Sequence, residues 1–300
     1  MKAAATQMNI ILGDVEKNFN NAVNLINNAA QEGAELIVLP EFFTSGIAIN
    51  PIINNVHKLN NQFGVLEKLK DLSARLKIII SGSILNKINK DVYNSIFIIE
   101  PDGQLFIHNK DYPTQFENCY YTSGDDNRSY KNFGVAFCWE MLRTKTIKEL
   151  SQDVQLLLCG SSWWDLPVGS TNDELRKYNH DLNFLTPQKI AKVAGVPVVH
   201  SSLKGVIEGE KSLEDNRLVK RKLIGTTQII NASGNILSSI TDNDQNNYII
   251  EDLKLDKRVI NPVENNFWLT KLRDEYLRAW ETQNKLGRKV YDERKKSENL

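Results

Sequence analysis

Cysteine is scarce: Cys119, Cys138 and Cys159 are the whole complement, an odd number with no CxxC spacing. They form neither a disulfide framework nor a zinc site, so a reducing cytoplasm is the expected compartment. No apolar run approaches the ~20 residues of a membrane span. The opening stretch MKAAATQMNIILGD is interrupted by Thr6, Gln7 and Asn9, unlike a signal peptide. Charge of one sign is not in excess, because Lys+Arg 37 balances Asp+Glu 37. No net field therefore draws the chain to nucleic acid or to an anionic membrane. Gly-rich phosphate loops are missing, as are His/Cys/Asp clusters at ligand spacing, so neither a nucleotide cofactor nor a metal is expected. With Gly 16 and Pro 8 there is no low-complexity linker, and no internal repeat is visible.

What the chain has is a globular composition over 300 residues, 41% apolar and 25% charged, enough for a sizeable core. KAAATQM, a helical pattern from Asn18 to Gln31 closed by Gly33, and the apolar burst AELIVLPEFF read as β-α-β. Apolar bursts without alternation suit strands buried on both faces. The pattern continues with a helix at 63–76 and strands at 77–81, 93–99 and LFIHNK. FGVAFCWE, VQLLLCGSS, a helix around 183–194, VPVVHSS, LIGTTQII and NILSSI follow. Asn231–Gly234 marks a hairpin between the last two strands. Strands interleaved with helices and hairpins predict an α/β layered sandwich rather than a barrel of equal βα units. Residues 1–255 form the main domain and 256–300 a charged, mainly helical extension with Leu269, Leu272, Tyr276 and Trp280 on one stripe.

Three chemistry-bearing residues lie where a buried strand runs out, which is where ligands bind in open α/β sheets: Glu41, Lys110 and Cys138. Singly, each has a plain explanation as a strand end or a small core residue. Together with their flanks, LPEFF (39–43), HNKDYPTQFE (108–117) and FCWE (137–140) resemble the three catalytic motifs of the nitrilase superfamily of carbon–nitrogen hydrolases, in the same order. The resemblance runs over roughly residues 2 to 240 and implies a four-layer α-β-β-α sandwich, often paired with a second subunit. It implies Glu41 as general base, Lys110 as a fixed positive charge, Cys138 as nucleophile and the backbone N–H of Trp139 as oxyanion donor. Glu117, seven residues after Lys110, would orient substrate or Lys110, while Glu140 would hold the loop by hydrogen bonding. A thiol, with a reference pKa near ~8.5, is within reach of a buried, pKa-raised glutamate, whereas a serine hydroxyl is far harder to deprotonate.

Candidate pocket walls are Ser162, Trp163 and Trp164 beyond the strand after the nucleophile, with Phe43 and Tyr112 beside two catalytic positions. The expected reaction is hydrolysis of a small amide through a cysteine thioester, then of a nitrile or N-carbamoyl compound. Asn118 stands where nitrile-hydrolysing members usually place Arg, and Met141 follows CWE. Both differences leave the catalytic set intact and the substrate subgroup open. Two other readings compete: a Cys–His hydrolase using His108, and an inactive scaffold on the same fold. A homodimer or larger assembly is expected from the resemblance and from the 269–280 stripe. Light scattering at micromolar concentration checks it, and a mass that stays monomeric at every concentration would refute it.

Overall fold

Strand β1 (Lys2–Asn9) lacks alternation because both its faces are covered. Ala3 and Ala5 join one core cluster and Ala4 and Met8 another. The same division recurs in β2 (Leu36–Val38), where Leu36 and Val38 face one cluster and Ile37 the other. The computed structural model describes residues 1–297 apart from 214, 216, 241–246, 257 and 260.

Helix α1 (Val15–Gln31) is capped by the Asp14 side chain, which accepts from Lys17 N. Helices α2 (Val56–Phe63) and α3 (Val65–Leu76) meet at Gly64, whose φ of 68° ends one and starts the other. The helix read at 63–76 is thus α3, and the preceding α2 escapes the sequence pattern. Strands β3 (Ile79–Ile88), β4 (Asp91–Ile99) and β5 (Leu105–Asn109) complete one half of the sheet. β6 (Ser129–Tyr130), β7 (Phe133–Phe137), helix α4 (Thr144–Glu149), β8 (Leu156–Ser161), helix α5 (Asp173–Ala194) and β9 (Val198–Lys211) build the other. The strand order is β5-β4-β3-β2-β1-β9-β8-β7-β6.

One inner core contains residues from both halves: Leu36, Val38, Ile96 and Ile98 with Val135, Phe137, Leu156 and Leu158. The outer face of the first half packs on α1, α2 and α3, and that of the second half on α4 and α5. Helices, sheet, sheet and helices are therefore stacked in four layers, as the resemblance implied, with the seam at the β1–β9 pair.

Some boundaries differ from the sequence reading. LIGTTQII is not one strand: Leu223 ends β10 (Leu218–Leu223) and β11 (Thr227–Ile230) begins after a break at Gly225, where a Cβ would sit 2.8 Å from Gln7 Oε1. The hairpin of β11 with β12 (Ile236–Ile240) turns at Asn231–Gly234 as read. β13 (Asn247–Asp252) pairs antiparallel with β1 and carries too short an apolar run to be seen in sequence. Helix α5 begins ten residues before the predicted start, on the polar stretch that Asn172 caps.

The largest difference concerns the extension. Leu269 and Leu272 are not on a helix, because the chain there runs through bends tied to the 142–144 segment. Leu269 N donates to Leu142 O at 2.7 Å, and Trp268 bridges Arg143. Helix α6 begins later, at Asp274–Ser297. Its Tyr276 and Trp280, with Leu272, pack on Trp139 and Cys138 of the same chain, so much of the stripe is covered within one chain. Residues 298–300 of the extension lie outside the described residues. Among the described residues, no helix is long and apolar enough to cross a membrane.

Gly287 is where α6 comes closest to the 118–119 loop: a Cβ there would sit 2.9 Å from Asn118 Cβ and 3.1 Å from Cys119 N. Gly287→Leu should therefore push the helix off this loop and cost roughly 1–3 kcal/mol. A melting temperature several degrees below wild type is the expected result, and an unchanged one would contradict the close packing.

Candidate active site

Four strand ends converge. Glu41 follows β2, Lys110 follows β5, Cys138 follows β7, and Ser162 follows β8. Each turn away from its strand is sharp, and three non-glycine residues with positive φ sit at the site: Phe42 (52°), Gln115 (53°) and Cys138 (52°). This left-handed region is uncommon for residues with a Cβ, and such strain gathers at functional sites.

Lys110 is fully buried, and its ammonium has three donors to satisfy. Nζ donates to Glu41 Oε1 at 2.8 Å, to Glu117 Oε2 at 3.0 Å and to Thr114 Oγ1 at 3.2 Å. Glu41 is fixed further by Asn94 Nδ2 at 2.9 Å on Oε1 and by the Ser162 N–H at 3.1 Å on Oε2. Glu117 is not a solvated loop residue. It is buried and accepts from Thr114 N at 2.8 Å and from the Tyr121 hydroxyl.

One cation thus faces two carboxylates where water is excluded. Burial pushes Glu41 up to about 7, with Glu117 adding to the rise and Lys110 and the Ser162 N–H opposing it. For Lys110, burial alone would lower the pKa, but the facing carboxylates of Glu117 and Glu41 hold it well above the usual lysine range. Burial, then the negative charges of Glu41 and Glu117, push the Cys138 thiol well up, while Lys110 and the Trp139 N–H pull it down. At rest the sulfur is a thiol, beside a carboxyl balanced near neutrality.

Glu140 has the structural task expected of it. Oε2 accepts from Phe137 N at 2.9 Å, which caps the turn carrying Cys138. Oε1 accepts from Asp111 N at 3.1 Å and meets His108 Nε2 at 3.0 Å and Arg128 Nη1 at 3.3 Å. Burial alone would raise Glu140, yet His108 and Arg128 hold it well below the ordinary carboxylate range. His108 is thereby committed to Glu140, and the Cys–His alternative loses its base.

A cavity of about 200 Å³ opens onto Cys138 and Glu117, with Trp139, Ser162, Trp163 and Trp164 in its walls. Two predicted wall residues are elsewhere. Phe43 is fully buried against Phe97, ring centroids 6.2 Å apart, because the left-handed turn at Phe42 sends it into the core. Tyr112 is 37% exposed and packs on Phe267 outside the cavity. Sequence reasoning missed Asn94, Thr114 and Tyr121 around the charged cluster. It also missed Phe116, Asn179, Arg221 and the α6 residues Glu275, Tyr276, Ala279 and Gln283 in the cavity wall. A buried Asn inside the apolar strand YNSIFII was a signal for the first of these; Ala279 offered none.

Comparison with known proteins gives the family and the fold. The sequence model of the family described as "Carbon-nitrogen hydrolase" matches residues 2–258. A nitrilase of Pyrococcus abyssi is 21% identical over 217 residues, 68% of this chain and 80% of that protein. Among solved structures, a carbon–nitrogen hydrolase from Helicobacter pylori G27 superposes with a TM-score of 0.71 at 17% identity, covering 83% of this chain and 87% of that one. A glutamate-to-glutamine mutant of the amidase from Nesterenkonia sp. AN1 is also similar, with a TM-score of 0.66, 14% identity and coverage of 84% and 90%. Its structure shows covalent addition of the acetamide moiety of fluoroacetamide at the active-site cysteine of that amidase.

The three cysteines differ in access, not in the direction of their pKa: burial pushes Cys119 up to about 12 and Cys138 and Cys159 well above the usual thiol range, but of the three it is Cys138 that lines the cavity. Brief treatment of the native protein with iodoacetamide at pH 8 should alkylate Cys138 first. Peptide mapping that finds Cys119 or Cys159 carrying the label ahead of Cys138 would contradict the site.

Proposed function

Because the chain belongs to the carbon–nitrogen hydrolase family, we propose that it hydrolyses the carbon–nitrogen bond of a small amide through a thioester on Cys138. The observation that carries this reading is the Lys110 ammonium clamped between Glu41 and Glu117, with Glu117 and Cys138 both lining the cavity.

Glu41, ionised, takes the thiol proton as the sulfur attacks the amide carbon. The carbonyl oxygen gains negative charge, met by the fixed charge of Lys110 and by the Trp139 N–H. The C–N bond breaks as Glu41 returns the proton to nitrogen, and ammonia leaves an acyl group on sulfur. Water then attacks the thioester, giving a proton to Glu41. Collapse releases the carboxylic acid, and Glu41 hands the proton back to the thiolate. The balance is one amide and one water in, one acid and one ammonia out. Glu117 touches neither nucleophile nor water in this scheme. It fixes Lys110, and Tyr121 and the Thr114 N–H fix Glu117 in turn.

The tryptophan walls favour a flat, apolar acyl group. Nitrile hydrolysis is the second reading, supported by the spacing from Lys110 through Pro113 and Thr114 to Glu117 and by the similarity to a nitrilase. An N-carbamoyl substrate would use the same thiol. Assembly into a homodimer or larger belongs to the proposal on family grounds alone, since the cavity is walled within one chain.

A panel of small amides, nitriles and N-carbamoyl compounds assayed for released ammonia tests the reading. An accepted amide should leave its acyl mass on Cys138 after a quench, and Cys138→Ala should be inactive. Glu41→Gln should lose about 10²–10⁴-fold in acylation rate, while His108→Ala keeps a measurable rate. Since Glu41 acts ionised and titrates at about 7, kcat/KM should rise with pH through neutrality and level above it. No turnover of any panel member, or undiminished turnover by Cys138→Ala, would leave the inactive scaffold or another site as the better account.

A further inference from the structure

Glu275, Ala279 and Gln283 lie one helical turn apart on α6 and face the cavity that holds Cys138. We propose that this helix is the specificity wall of the site, supplied in cis, and that Ala279 sets the size of the acyl group the cavity admits. The proposal rests on the reading of Cys138 as the nucleophile, and extends it to residues outside the stretch matched by the family model, which ends at 258.

The wall is fixed at both ends. Ahead of it, Thr144 N donates to Phe267 O at 3.2 Å and Leu269 N to Leu142 O at 2.7 Å, so the extension is stitched to the chain just past the nucleophile. In its first turns, Trp280 stacks on Trp139 with centroids 5.3 Å apart and planes 9° apart, and Tyr276 stacks on the same ring at 6.2 Å. Farther along, Asn284 Oδ1 accepts from Asn118 Nδ2 at 3.0 Å, and Arg294 Nη1 donates to Cys119 O at 2.9 Å. Tyr291 Oη accepts from Val92 N at 3.0 Å. Asn118, the residue after Glu117, thus holds the helix.

Between these anchors the helix cannot yield to a bulky guest, so the side chains that face inward decide what fits. Ala279 is the smallest of them. A cavity of ~150 Å³ lined by apolar groups holds benzene, so about 200 Å³ here takes roughly one ring. Trp163 and Phe116 supply flat walls, and Gln283 and Glu275 a polar rim. The guest class that fits is an amide whose acyl group is a single aromatic ring or a flat apolar group of that size. A phenyl ring at position 279 would take up most of that space.

The test compares two thiol reagents on the full chain, iodoacetamide as the small probe and phenacyl bromide as the ring-bearing one, with Cys138 adducts located by peptide mapping. In Ala279→Phe the ratio of phenacyl to iodoacetamide labelling rates at Cys138 should fall roughly tenfold or more, the scale of steric discrimination in a fixed pocket. In Gln283→Ala the same ratio should rise. Melting curves show whether each variant folds, and if Ala279→Phe does not, Gln283→Ala decides. A ratio unchanged in the folded variants, or equal loss of both reagents in folded Ala279→Phe, overturns the proposal. The outcome is separable from that of the amide reading. Labelling that discriminates by size in a protein that hydrolyses no amide would keep the wall and discard the reaction.

Discussion

A lysine ammonium buried between two glutamates organises this molecule. Breaking a buried ion pair by removing one partner costs about 3–5 kcal/mol, so Glu41, Lys110 and Glu117 hold one another in place as firmly as packing does. Glu41 follows β2 while Lys110 and Glu117 both follow β5, so two strand ends must meet at one point, and the strand order of the sheet brings them there. Thr114 takes the third donor of the cation, and Asn94, the Ser162 N–H and the Tyr121 hydroxyl bond to the carboxylates.

A second ionic group lies behind the nucleophile turn. Glu140 and Asp111 face Arg128, Arg143 and His108, all buried, and the Glu140 carboxylate caps the peptide N–H of Phe137. That cap helps hold Cys138 in the left-handed conformation, which is costly for a residue with a Cβ. The two charged groups have separate tasks: one sets the protonation of the reacting atoms and the other sets the direction in which they point.

Much of this was legible in the sequence, for physical reasons. Apolar bursts that end in Glu41, Lys110 and Cys138 mark buried strands whose ends carry charge or a thiol, and it was the resemblance of their flanking motifs to the nitrilase superfamily that tied them to one site. Strands buried on both faces predicted an α/β layered sandwich, and the resemblance supplied the number of layers. Sequence adjacency failed where the backbone turns sharply: Phe43 stands two residues from Glu41 but follows a left-handed Phe42, so it enters the core. Periodicity failed for Leu269 and Leu272, which match a helical stripe but precede the helix: Leu269 is held by the backbone of Leu142, and Leu272 is buried in the apolar cluster with Cys138 and Trp139. Contacts between α6 and the cavity were invisible because they join residues more than a hundred positions apart, and an alanine or a glycine at such a contact has no pattern to betray it.

The imbalance of charge in the cluster also bears on how the cavity empties. Two carboxylates and one ammonium give the cluster beside the cavity a net negative charge once Glu41 is ionised. A neutral guest enters without electrostatic cost, whereas a carboxylate formed beside Glu41 and Glu117 meets like charges at close range, in surroundings where repulsion is poorly screened. Under the proposed reaction, release of the acid is therefore favoured by the carboxylates that flank it, and its rebinding is opposed.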